Sequence, residues 1–380
     1  MKRSVLALCL AASTLCAGQV RAAGRTHWVF EPSMKFDALC LAGVLADDPF
    51  YLRYYGKQHD ELSARLTPEA RAAFKNITAK YKAAGAIATA SLALVMSASD
   101  AETLPELIAA LEHPEAIKAR FQATRFWDQG AWIPFEAARP DLITVLKWYQ
   151  DIDFPAYWRA DAEAPVRAAI ESLRPQLETA DVVPLIEQVL GRRLDTGDIQ
   201  VVATRYCRPH GIRVTGDRFL TDPTYPKAVV LGIVGGTSVH EMMHPPFDPK
   251  DPRIVNAIAI LRQDPFVQSR FVGHDPSFGY NTFEGYFDED SVQALDQVIN
   301  ERVGFVFQGG DPAARWRRAD NGLHVLAAAI YTLMKQEKFL ESGEDYTTFL
   351  DRMVREGRLA PGKIEALYPK AEVAVATSPN

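Results

Sequence analysis

The 380-residue chain lacks the features that would place it in a bilayer or on a nucleic acid. Past its first residues no apolar run reaches about eighteen, so no transmembrane helix is expected. There is no basic block, and the formal net charge is −6. An acidic balance of that kind argues against nucleic acid as a partner. No internal repeat or low-complexity tract is present, and an apolar content of 48% excludes wholesale disorder. Cysteine is scarce, with four in the chain: Cys9, Cys16, Cys40 and Cys207. Histidine is scarce too, at eight.

The chain opens with the basic Lys2 and Arg3, an apolar run from Val5 to Ala17, and small residues around Ala22. That order predicts a secretory signal peptide over residues 1–22, cleaved after Ala22, and hence a periplasmic or extracellular protein. Cleavage would remove three basic residues and no acids, moving the net charge to −9. Cys40 and Cys207 would remain. In an oxidising compartment they are candidates for a disulfide. The alternative is two buried thiols, because Cys40 lies in the apolar run "DALCLAGVLA".

About 360 mature residues exceed one typical core, so two domains or subdomains are expected. Apolar spacing at the helical period predicts a mostly helical region over 23–178. From 179 to 367 the pattern is mixed. "DIQVVATRYC" and "GIRVTGDRFL" read as two strands of a small antiparallel sheet. A helix should follow from Pro226 to His244, although Gly232, Gly235 and Gly236 each weaken it by about 1 kcal/mol relative to Ala. Glycines in a helix that still forms imply close packing on a neighbour. More helices are expected beyond residue 252, and residues 368–380 read as a loose tail. The fold class is therefore α+β and predominantly helical.

The stretch "SVHEMMHPPF" carries the chemistry. His240 and His244 are four apart, so a helix puts both imidazoles on one face. Glu241 lies beside them. This is the HExxH arrangement, in which the two histidines and a third protein ligand hold one Zn2+ and leave a position open to water. A glutamate placed as Glu241 is takes the proton of that water. Pro245 ends the helix at His244, since its ring clashes with the carbonyl of Glu241.

The "HEMMH" helix, after a small sheet and before an acidic helix, resembles a zincin metallopeptidase. A metzincin would have histidine or aspartate at position 250 and glycine at 247, where this chain has Lys250 and Phe247. The gluzincin pattern is closer. That resemblance implies a third ligand from a downstream Glu-x-x-x-Asp, and Glu284 with Asp288 meets the spacing. Glu284 is then the expected ligand and Asp288 would orient a histidine. Glu289 is the alternative ligand, with Gln293 where its aspartate would stand.

The apolar stripe Val292, Leu295, Ile299 and Val303 marks the buried face of this helix. At about 100° per residue Asp290 points away from it and is expected in solvent. A competing use for Glu284 is a capping pair with Asn281. His274, Tyr280 and Tyr286 are candidates for an oxyanion donor, Tyr206 and His210 carry the same ambiguity at the strand pair, and His324 reads as a core histidine. The function expected is an exported zinc metallopeptidase acting on peptides or proteins. The alternative is a non-catalytic binding protein on a zincin scaffold, in which Glu241 would have no purpose.

Overall fold

The computed structural model describes residues 24–216, 218–275, 278, 280–305 and 312–368. The expected signal peptide, with Cys9 and Cys16, lies outside the described residues, as does the tail beyond Tyr368. The fold is α+β and predominantly helical. Among the described residues no helix is long and apolar enough to cross a membrane.

The sheet has four strands: β1 (His27–Pro32), β2 (Asp198–Ala203), β3 (Ile212–Val214) and β4 (Arg218–Thr221), in the order β1-β2-β4-β3. β1 runs parallel to β2, and β2 parallel to β4; only β3 and β4 are antiparallel. The sheet is therefore mixed, not the antiparallel pair expected. Two causes are visible. "GIRVTGDRFL" is a hairpin in itself, turning through Gly216 at φ +77°, a conformation glycine adopts without steric cost. β1 falls inside the region expected to be helical and lies at the sheet's edge. Only Trp28 of its six residues is buried, so the strand has little alternation to read.

The sheet is a wall between two cores. Successive strand residues face opposite sides. Val202, Ile212, Val214 and Leu220 join a core built from helices between Phe36 and Ala162. Trp28, Ile199, Val201 and Phe219 join a second core, built from Leu173 onward. The expected regions 23–178 and 179–367 thus share one sheet, with the change of core between Ala162 and Leu173.

Asp37 ties the first core to the wall. Its buried carboxylate accepts from Trp158 Nε1 at 2.7 Å and from the backbone N–H groups of Arg205 and Tyr206 at 2.7 and 2.8 Å. Burial pushes its pKa up to about 7 against those three donors. Tyr206 and His210 are held by the same core: Tyr206 donates to Asp161, and His210 Nε2 meets the Tyr51 hydroxyl at 2.9 Å.

The helix Lys227–Met242 carries the HExxH residues and packs on the acidic helix Phe283–Val303. Its glycines are there for contact. A Cβ on Gly235 would lie 2.6 Å from the ring of Phe305, and one on Gly236 would lie 3.3 Å from Asn300 Nδ2. The motif helix ends at Met242, two residues before the expected end. Arg213 then holds the turn, donating to the carbonyls of Glu241 and His244. Those carbonyls have no intrahelical partner at a helix end. His244 is thereby fixed although it lies outside the helix.

Cys40 and Cys207 are free thiols, both fully buried in the first core. The bridge expected as one of two outcomes is not formed. Burial raises both thiols, and the nearby Asp37 raises both further. The native chain should therefore leave Cys40 and Cys207 unalkylated by iodoacetamide, while denatured, unreduced protein should be alkylated at both. Peptide mapping checks this, and a Cys40–Cys207 linked peptide would contradict it.

Candidate metal centre

The acidic helix starts at Thr282, whose hydroxyl accepts from Gly285 N–H, so Thr282 rather than Asn281 is the cap. It ends at Gly304 in the left-handed region, φ +81°. From Asp290 to Asn300 every residue is buried. Its polar residues consequently have to meet partners inside the protein, and they do so on two sides.

On the side facing the motif helix, His240 Nδ1 is 2.8 Å from Asp296 Oδ2, and His244 Nδ1 is 2.7 Å from Asp288 Oδ2. The two Nε2 atoms point at each other, 3.1 Å apart. Glu289 completes the group. Its two oxygens lie 3.7 Å from His240 Nε2 and 3.7 Å from His244 Nε2. One ligand atom from each of His240, His244 and Glu289 falls within 4.8 Å of the others, a set able to hold a metal ion.

The chemistry of the donors fits that use. An aspartate on each Nδ1 fixes the tautomer that leaves Nε2 as an acceptor. Two acceptors and a carboxylate then face one point, where they require positive charge. With protons alone to supply it, burial opposes charging His240, but the carboxylates of Glu289 and Asp296 overcome this and hold its pKa well above normal. Burial likewise opposes ionisation of Glu289, yet His240 and His244 hold its pKa far below the usual range. Asp296 is lowered too, against burial, chiefly by Arg315, which grips it at 2.9 and 3.2 Å.

On its other side the helix supports Glu289 through a second network. Gln293 Nε2 donates to Glu289 at 2.9 Å, while Gln293 Oε1 accepts from Trp316 Nε1 at 2.9 Å. Gln293 also touches His324 Nε2 at 3.3 Å. His324 lies between Asp290 at 2.6 Å and Asp320 at 2.9 Å. Asp290 is fully buried and accepts from Ala327 N–H. The expectation that Asp290 sits in solvent is therefore wrong. A wheel with one apolar stripe has a wet side only when the helix has one, and from Asp290 to Asn300 this helix is buried all round.

The sequence candidates separate as follows. His240, His244, Asp288 and Glu289 converge. Glu284 does not: its side chain is 62% exposed and ion-paired with Arg262 on the first turn. Five residues beyond Glu284, Glu289 falls on the face that meets the histidines. Tyr280 reaches the same neighbourhood, with its ring edge-on to His324 at 5.3 Å. Burial raises its phenol, and the charge of Glu289 raises it further. Tyr286 is a fully buried core residue donating to the Leu323 carbonyl at 3.0 Å. His274 is held by the Phe271 carbonyl and stacks on the Phe271 ring. Sequence reasoning missed Asp296, Gln293 and Arg315. A signal existed for the first two: Glu289, Gln293, Asp296 and Asn300 make a polar stripe at spacings of four, three and four.

Glu241 lies where two clefts meet, one of about 230 Å3 beside His240 and one of about 500 Å3 beside His244. No family model, curated protein or solved structure matches the chain.

Two outcomes are expected. His240→Ala, His244→Ala and Glu289→Gln should each weaken zinc binding by more than about 100-fold. Asp288→Asn and Asp296→Asn should cost about 10–100-fold, the range for residues that orient ligands. Glu284→Gln should bind as wild type. Titration against a competing chelator measures all six, and a weak Glu284→Gln beside a normal Glu289→Gln would reverse the assignment.

The second outcome concerns pH. Burial lowers the His324 pKa, but Asp290 and Asp320 outweigh it and raise the value to about 10. The unfolded value is near the ordinary one, about 6.5. The stabilisation from charged His324 is then complete below about pH 6.5 and disappears as pH rises toward 10. Melting curves of wild type and His324→Gln should converge over that window. A constant difference from pH 6 to 10 would contradict it.

Proposed function

We propose that this chain is a zinc-dependent peptide hydrolase in which His240, His244 and Glu289 hold the metal and Glu241 is the general base. The observation that carries the reading is the pair of Nε2 atoms 3.1 Å apart, each imidazole backed by its own aspartate, with Glu289 facing both. Two imidazoles and one carboxylate suit zinc and leave it a free position. When bound, the zinc would act as a Lewis acid, lowering the pKa of a coordinated water to about 7 and polarising a substrate carbonyl.

The remaining work falls to the chain. Glu241 is next to a ligand but is not one, and it lines both clefts. Its carboxylate accepts the proton of the attacking water and returns it to the leaving amine. Arg213 fixes the backbone of Glu241 and of His244 together, so base and ligand keep their relative position. Asp288 and Asp296 hold both rings in the tautomer that presents Nε2. A signal peptide over residues 1–22 would put this activity outside the cytoplasm, and the large helical N-terminal region contributes Arg125 and Phe126 to the wider cleft.

Glu241→Gln separates binding from chemistry. It should retain zinc at wild-type affinity and lose about 10²–10⁴-fold in hydrolysis of unfolded casein. Chelator should abolish the wild-type activity, and added zinc should restore it. Casein turnover by Glu241→Gln within about tenfold of wild type would remove Glu241 as the base.

A further inference from the structure

The wider of the two clefts has a volume of about 500 Å3 and reaches both Glu241 and His244. That size lies within the roughly 300–1,000 Å3 of pockets that take small molecules or parts of larger ones. Whatever fills it lies against the proposed metal centre. Its walls come from both cores. Phe126 is a half-buried ring packed on the first core. Pro245, Phe247 and Pro249 follow the motif helix, and Ile258 lies on the helix Pro252–Leu261, packed on the second core.

These walls are held in place by contacts within the protein. The Phe247 ring centre is 5.3 Å from that of Phe287 and 6.3 Å from that of Tyr346. Two guanidinium groups lie over the Phe126 ring, Arg125 at 5.1 Å and Arg213 at 5.4 Å from its centre. Both prolines have φ fixed by their own rings. A wall that is already ordered costs little when a ligand enters.

Charge around the cleft is answered inside the protein. Arg213 holds the carbonyls of Glu241 and His244, Asp288 pairs with His244, and Glu284 pairs with Arg262. The carboxylate of Glu241 is taken by the attacking water in the mechanism above. A charged side chain entering here would give up its hydration for groups that already have partners. An apolar one gains by leaving water.

We propose that this cleft is a substrate pocket for one large, uncharged apolar side chain of a peptide (phenylalanine, leucine or methionine) next to the bond that is cut. Phe126, from the first core, and Ile258, from the second, set that selectivity. This inference rests on the peptide hydrolase reading.

The test uses zinc-loaded protein and two peptide mixtures, random except for one central residue, phenylalanine in one and alanine in the other. Cut sites are read by mass spectrometry. Binding is read by equilibrium dialysis with Glu241→Gln, which holds peptide without cutting it. Wild type should prefer the phenylalanine mixture by at least about 100-fold in kcat/KM, cutting on one fixed flank, since a single methylene in an apolar pocket is worth about 10–200-fold. Glu241→Gln should bind that mixture at least about tenfold more tightly than the other. Phe126→Ala and Ile258→Ala should each lower the cleavage preference about tenfold. The loss should appear in KM rather than kcat on one cut peptide, with zinc content within about twofold of wild type. Phe126→Leu should keep most of the preference. Cleavage without preference, or with the preference intact in both alanine variants, removes the pocket and leaves the hydrolase. A loss that falls equally on both mixtures assigns Phe126 and Ile258 to packing and also removes the pocket. Selective binding by Glu241→Gln with no cleavage by wild type removes the hydrolase and leaves the pocket. Neither cleavage nor selective binding removes both.

Discussion

Two imidazole nitrogens 3.1 Å apart, each ring hydrogen-bonded to an aspartate on its far side, repel unless positive charge lies between them. Much of the protein's second half is arranged around that constraint. The motif helix presents both rings but stops at Met242, so the second ring needs outside support. Arg213 gives it through the carbonyls of Glu241 and His244. Arg213 itself comes from β3, at the edge of the sheet. Arg213 thereby couples the sheet to the site, alongside the packing of the motif helix on β4, and the site's geometry depends on the wall between the two cores.

That wall also explains how the N-terminal helices reach the site. They pack on one sheet face and the motif and acidic helices on the other. Arg125 and Phe126 nevertheless line the wider cleft with Phe247 and Ile258 from the opposite core. A change in how the first core sits on the sheet would alter that cleft before it touched the histidines. Asp37 bears on this, because it joins Trp158 of the first core to the backbone after β2.

Legibility in the sequence followed the physics of each element. The HExxH pair could be read because four-residue spacing on a helix is local and needs no partner. The glycines of the motif helix could be read as contact points for the same reason. The third ligand could not be settled that way. Spacing by resemblance favoured Glu284, but that position falls on the exposed first turn, where Arg262 neutralises it. Choosing Glu289 requires knowing which face meets the other helix, a tertiary fact. The helix wheel misled for Asp290 because it assumes a wet side. β1 was missed since its partner lies about 170 residues away and its own alternation is weak at an edge.

The charge on the acidic helix gives one more reason to expect a cation at its centre. Asp288, Glu289, Asp290 and Asp296 all face inward toward partners. Buried carboxylates are costly unless each meets opposite charge and hydrogen bonds. Two fixed cations answer them: Arg315 on Asp296 and protonated His324 on Asp290. Asp288 pairs with His244, and Glu289 faces both histidines while accepting from Gln293. Protonating both rings would balance the count, but it would put two positive charges in contact at 3.1 Å. A divalent ion at the point where Glu289 and both Nε2 atoms converge supplies the same two charges at one place and leaves the rings neutral. The donor set and the charge count both fit a cation at this point, and His240, His244 and Glu289 enter both.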